Sequence, residues 1–256
     1  MKKLVWWLAA LTTLSFGATA QAAGNKVQFK ETHSVAPPEV RAYEAGMKAF
    51  DQCLVRNHFP YRVIALVHVT GEEHRYSYVT DPGSWSDFDP FFKQANLCVS
   101  AWRTYVDPHM LSSSSQYDIW MPGMSNLASD KTPDSGGFYV VEVTLKSGHQ
   151  AYETYVKDVR MIYSAMEKSK WGGHWATIEV NGGGPNAPNF VLMIPFKNFE
   201  DWGKPIKPSL WEMIANVYGR KKADELRKEL NEVVKHTSSH YDAVDPKLSY
   251  TPPSHY

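Results

Sequence analysis

From position 138 the chain reads Phe-Tyr-Val-Val-Glu-Val-Thr-Leu, and the alternate residues Tyr139, Val141, Val143 and Leu145 are all apolar. A period of two marks a strand with one buried face. The period then changes. Tyr152, Tyr155, Val156, Val159, Ile162, Tyr163 and Met166 recur every three or four residues, which predicts a helix from about 149 to 168. Residues 175–180 and 190–194 read as two strands joined by the glycine-rich turn Asn181-Gly182-Gly183-Gly184-Pro185-Asn186. Pro208-Ser209 starts a helical region through Leu210, Ile214 and Val217, which Tyr218-Gly219-Arg220 interrupts. A second amphipathic run continues through Leu226, Leu230 and Val234.

The earlier part of the chain repeats this plan less cleanly. Residues 27–33 form a weak strand, and Pro37-Pro38 opens a helix reaching about Asn57, proline suiting a first helical turn. Strands at 61–69 and 75–79 flank the turn Gly71-Glu72-Glu73, and a helix follows over about 86–106. Three short matches support a duplication. Ala42-Tyr43-Glu44 with Lys48 matches Ala151-Tyr152-Glu153 with Lys157, and Ser86-Asp87-Phe88-Asp89 aligns with Lys197-Asn198-Phe199-Glu200. Ser114-Ser115-Gln116-Tyr117-Asp118 matches Ser238-Ser239-His240-Tyr241-Asp242. Their offsets are 109, 111 and 124, in the same order along the chain. The expected organisation is a signal peptide at 1–22, a first repeat at 23–111, a linker at 112–136 rich in Ser, Gly, Pro and Asp, a second repeat at 137–249 and a flexible tail at 250–256.

The expected class is α+β, with two ferredoxin-like βαββα units whose antiparallel sheets face each other and whose helices lie outside. A sheet covered by helices on one face exposes the other, and closing two sheets together buries it. Residues 138–143, residues 190–195 and the stretch from Tyr241 to Ser249 carry a resemblance to the dimeric α/β-barrel superfamily. The likeness is to tandem, single-chain versions of its NIPSNAP-like and antibiotic-biosynthesis-monooxygenase-like members. The resemblance implies an intrachain barrel. It also implies a range of activities, from cofactor-free oxygenases and haem enzymes to proteins of unknown role, so it transfers a shape and no chemistry.

Strand parity proposes a site inside that barrel. If Tyr139, Val141, Val143 and Leu145 face the helices, Glu142 and Thr144 turn inward. The same rule places Ala176, Ile178 and Val180 against the helices, with Trp175, Thr177 and Glu179 inside. In the first unit it places Val63, Ala65, Val67 and Val69 outward, with Arg62 and His68 inside. Such a set could bind a small polar aromatic ligand or perform acid/base work. The competing reading is buried charges satisfying one another in a filled interior, Arg62 with Glu142 or Glu179. His236, His240 and Asp242 lie near one another in sequence, on an expected helix end. Surface histidines are commoner than ligands, and no metal is expected. The glycine-rich turn joins two strands instead of opening a helix, which excludes a dinucleotide-binding reading.

The amino terminus adds a compartment. Met1-Lys2-Lys3, an apolar run from Leu4 to Phe16 and the small-residue ending Ala20-Gln21-Ala22 follow the order of a cleavable signal, cut after Ala22 or Ala20. Removing 22 residues leaves 234 with 25 basic and 27 acidic side chains, which favours neither nucleic acid nor an anionic membrane. The protein is therefore expected to be periplasmic or secreted, off the membrane after cleavage, and a monomer or homodimer. In such a compartment the two cysteines, Cys53 and Cys98, read as a disulfide, with two reduced buried thiols as the alternative. Both fall on expected helices that share one face of the first sheet. The leading functional expectation is a non-catalytic binder of a small aromatic or apolar molecule, with no cofactor. The alternative is an oxygenase-like enzyme, cofactor-free or haem-dependent. A third reading is an interaction module using the linker or the tail.

Overall fold

In a computed structural model, residues 26–127 and 136–253 are described. The expected signal segment, part of the expected linker and the last three residues lie outside them. Eight strands close into one barrel in the order β1-β3-β2-β8-β5-β7-β6-β4, every pair antiparallel. The first half supplies β1 (Val27–Val35), β2 (Val63–His68), β3 (Arg75–Gly83) and β4 (Met110–Trp120). The second supplies β5 (Gly137–Leu145), β6 (Ala176–Asn181), β7 (Phe190–Phe196) and β8 (Val234–Val244). Within each half the order is fourth, first, third, second, as in a ferredoxin-like βαββαβ unit. Two seams join the halves: β4 with β6, from Tyr117↔Asn181 to Trp120↔Ile178, and β2 with β8, from Leu66↔Val244 to His68↔Asp242.

Helices cover the outside. α1 (Val40–Arg56), α2 (Phe88–Ala95) and α3 (Val99–Tyr105) pack on the first half, and α4 (His149–Ser169), α6 (Leu210–Tyr218) and α7 (Arg220–Val233) on the second, with a short α5 (Phe199–Trp202) after β7. α4 is an amphipathic helix whose Tyr155, Val156, Val159, Ile162 and Met166 are buried, the face that its three- and four-residue spacing predicts. The expected helix over 86–106 is divided into α2 and α3 by a 3₁₀ turn at Asn96–Cys98. Cys98 there forms a disulfide with Cys53 of α1. Gly46 on α1 permits the close approach of α3, since a Cβ at that position would lie 1.8 Å from the Tyr105 carbonyl oxygen.

Several sequence expectations need correction. Residues 110–120, mostly placed in the linker, form β4 and pair with β1 along its whole length. The exposed Leu111-Ser112-Ser113-Ser114-Ser115 stretch has no apolar alternation to announce a strand. The helical run continued past Val233 is likewise wrong, because Val234–Val244 is β8. Tyr250, assigned to the tail, is buried: it bridges to Val63 and its hydroxyl donates to the Phe59 carbonyl oxygen at 2.8 Å.

The barrel interior is not uniform. Leu66, Phe138, Val140, Ile178 and Val191 pack together as one apolar cluster built from strands alone. Polar side chains collect on the inward positions of the first-half strands, where Thr32 hydrogen-bonds Ser77 at 3.0 Å and Gln116 Nε2 donates to Asp118 Oδ1 at 2.6 Å. Burial raises the Asp118 carboxyl despite the opposing influence of Lys30 and Gln116. No helix among the described residues is long and apolar enough to cross a membrane.

Candidate functional site

The expected interior site is only partly assembled. Glu142 and Thr144 share the inward face of β5 with Phe138 and Val140, and Glu142 Oε2 accepts a hydrogen bond from Ser238 Oγ at 2.9 Å. His68 is also on the inward face, in line with Ile64 and Leu66. Arg62 precedes β2 and is exposed, so it supplies no interior guanidinium. On β6 the parity is reversed: Ile178 joins the interior cluster, which turns Trp175, Thr177 and Glu179 outward. Trp175 packs with α4, α6 and α7, and its Nε1 donates to the Met124 carbonyl at 3.0 Å. Thr177 Oγ1 donates to the same oxygen at 2.6 Å. Glu179 Oε1 accepts from the Tyr152 hydroxyl of α4 at 3.1 Å, and burial raises its carboxyl above the usual range. The physical reason is that a barrel sheet is buried on both faces. Alternation shows which residues share a face but not which face meets the helices.

A more developed site lies on the helix side of the first half. β1 alternates Val27, Phe29, Glu31, His33 and Val35 toward the helices. In the nine-residue β5 the third to last positions of that face are Tyr139, Val141, Val143 and Leu145, so Glu31 and His33 stand where the second half has Val141 and Val143. A cavity of about 230 Å³ opens between β1–β3 and α1–α3, walled by Phe29, Met47, Phe50, Phe91, Phe92 and Trp102, with Glu31, His33, Tyr78 and Thr80 as polar lining. In the second half Phe190 stacks on Tyr155 and Tyr152 at 4.6 and 5.6 Å between ring centroids.

His33 is fully buried, and its neighbours fix its ring. Nδ1 lies 2.6 Å from the Tyr43 hydroxyl, which donates onward to the Tyr78 hydroxyl at 3.1 Å. Because Tyr43 spends its proton on Tyr78, it accepts from His33, which places the imidazole proton on Nδ1. Nε2 then faces Glu31 Oε1 at 3.3 Å and makes no hydrogen bond. Tyr78 and Trp102 hold the ring from two sides, each with its centroid 5.2 Å away. Burial pushes both Tyr43 and Tyr78 far above the usual phenol range, so they remain neutral links. The arrangement is a buried imidazole with an unpartnered nitrogen, oriented by a phenol relay and adjoining a carboxylate, beside an apolar cavity. That combination can take a proton from a bound molecule. Sequence reasoning passed over it because the strand looked weak. The available signal was two polar residues on an otherwise apolar face.

No protein-family model matches the chain, and no curated protein matches it in sequence. Solved structures do. A candidate monooxygenase from Lactobacillus acidophilus NCFM matches with a TM-score of 0.51 at 12% identity, covering 90% of this chain and 97% of that one. The fold is that of the dimeric α/β barrel. Another solved structure similar to this chain is that of an anthrone oxidase-like protein, with a TM-score of 0.51 at 10% identity over 86% of this chain and 91% of that one. A mutant chlorite dismutase from Candidatus Nitrospira defluvii matches with a TM-score of 0.50 at 9% identity over 86% and 92%. At these identities the likeness establishes the barrel and no reaction.

Proposed function

We propose that this protein is an oxygenase-like enzyme that works without a cofactor, binding a small aromatic molecule in the first-half cavity and taking a proton from it with His33. The observation that carries the reading is His33, a lining residue of an apolar cavity of about 230 Å³, whose Nε2 is buried beside Glu31 without a hydrogen-bond partner, so that a small turn of the ring is needed to bring it to a bound molecule. An apolar cavity of roughly 150 Å³ holds benzene, so a compact aromatic fits. Haem, the cofactor that the resemblance implies, does not fit this cavity. The cavity is below the roughly 300 Å³ where pockets for drug-sized molecules begin, and a porphyrin needs more. Haem-dependent chemistry is therefore not part of the proposal. The monooxygenase-like and anthrone oxidase-like relatives support it at the level of fold.

The residues divide the work as follows. Phe50, Phe92 and Trp102 bind the ring by burial and edge contacts. Tyr43 orients His33, and Nε2 accepts a proton from an acidic hydroxyl or ring-flanked methylene. Glu31 stabilises the resulting imidazolium, and the electron-rich carbanion or phenolate meets dioxygen in a water-poor space. For a methylene substrate one oxygen atom becomes the carbonyl and the other leaves as water with the two hydrogens. Export belongs to the same proposal, supported by the Cys53–Cys98 disulfide, a bond that persists in oxidising compartments.

Oxygen uptake with anthrone tests the chemistry, and quenching of tryptophan fluorescence by 1-naphthol tests binding. His33→Gln is expected to keep 1-naphthol binding and lower oxygen uptake about 10²- to 10⁴-fold. Equal uptake by wild type and variant would overturn the catalytic role. Naphthol binding without uptake that depends on His33 would favour a non-catalytic binder.

A further inference from the structure

At the β2–β8 seam, His68 ends β2 directly opposite Asp242 of β8, and His240 lies two residues from Asp242 on the same face. The two imidazoles stack with centroids 4.1 Å apart and planes 17° from parallel. Both direct Nε2 at one carboxylate: His68 Nε2 is 3.5 Å from Asp242 Oδ1 and His240 Nε2 is 3.4 Å from Oδ2. These separations exceed the 2.7–3.2 Å typical of N–H···O bonds. Accordingly His240 Nε2 and Asp242 Oδ1 have no hydrogen-bond partner, nor does His68 Nδ1, although the side chains of His68 and Asp242 are only 5% and 2% exposed. Buried polar atoms left in that state are uncommon and require a cause.

We propose that His68, His240 and Asp242 form a site for one divalent transition-metal ion, Zn(II) being the ion that this donor set favours. With metal–ligand bonds of about 2.1 Å, the edge of a tetrahedron is about 3.4 Å. Each imidazole nitrogen stands at about that separation from the carboxylate, though from a different oxygen of it, so a turn of the carboxylate brings one oxygen to both. One donor atom from each residue lies within 4.8 Å of the others, and because the stacked rings aim their nitrogens side by side, one imidazole has to rotate for both to reach a single ion. Three protein ligands leave the fourth position for water, the pattern of zinc sites that activate water. The donors come from both halves, so the ion would also clasp the seam. An entry route is short: Val69, Thr70 and Gly71 of the following turn are exposed, as are Ser238 and Ser239. Positive neighbours do not close the site. Arg75 is engaged by Glu72 at 2.8 Å, and Lys30 is drawn to the buried Asp118 as well as to Asp242.

Untagged, metal-stripped protein titrated with Zn(II), and with Co(II) as an optical probe, tests this site. One equivalent of Co(II) should give visible d–d bands of tetrahedral intensity, displaced by Zn(II). His68→Gln and His240→Gln should each weaken Zn(II) binding about 100-fold or more, since loss of even an outer-shell partner costs 10- to 100-fold. His236→Gln, an exposed position on the same strand, should leave binding unchanged. Should a variant fail to fold, crystals of the wild type grown with zinc give an independent reading, an anomalous peak between the three side chains. No saturable binding, binding insensitive to His68→Gln and His240→Gln, or an anomalous peak elsewhere would overturn the proposal.

Discussion

Asp51 lies on α1 between the buried Met47 and Leu54, and burial raises its carboxyl from the ordinary 3.8 to about 6. A raised carboxyl means that the folded state holds its proton more tightly than the unfolded state. Stability from this group is present below about pH 4 and falls as pH rises through 6. Asp51→Asn should therefore stabilise the protein at pH 7 by about 1 kcal/mol, after a discount for solvent screening, and change little at pH 3.5. Thermal melts at the two pH values check this; equal shifts at both would contradict the burial argument. Other residue-scale features were legible only in part. Alternation puts Glu142 and Thr144 on one face of β5 and His68 on the face of Ile64 and Leu66. It could not see that Ile178 belongs to the interior, because an apolar residue suits either face of a barrel strand. His33 and the triad of His68, His240 and Asp242 depend on side chains brought together by tertiary pairing, and position 68 is 172 residues from position 240.

At the scale of elements, the long amphipathic helices were readable because α1 and α4 keep their apolar spacing over 17 and 21 residues. β4 and β8 were not, because Ser112–Ser115 and Lys235–Ser239 are exposed, polar stretches without alternation, and pairing with a neighbouring strand decides their conformation. Gly46→Ala tests the packing of α1 on α3. Although alanine is the better helix former, its methyl group would collide with the Tyr105 carbonyl, and the variant should lose about 1–3 kcal/mol in denaturant unfolding. A neutral or stabilising result would mean that the helices are not in close contact there. The disulfide joins the same two packed regions across a separation of 45 residues. Replacing both cysteines by serine should cost about 3–4 kcal/mol by the loop-entropy relation, measurable by chemical unfolding.

For the whole molecule, closure is the organising fact. Each half presents a four-stranded sheet, and the β2–β8 and β4–β6 seams leave a barrel with apolar packing at its centre. The sequence matches at Tyr43 and Tyr152 fall on α1 and α4, and those at Tyr117 and Tyr241 on β4 and β8, equivalent elements of the two halves. We infer a duplication from those positions. The two halves differ in this layer, the first holding an open cavity with Glu31 and His33, the second filling it with Val141, Val143, Tyr155 and Phe190. This asymmetry places the proposed chemistry outside the barrel and in one half only. A crystal structure of the protein soaked with 1-naphthol addresses that claim most directly. The account predicts one ring between Phe50, Tyr78 and Trp102 with its hydroxyl directed at His33. Naphthol bound inside the barrel beside Glu142, or in the second half, would contradict it.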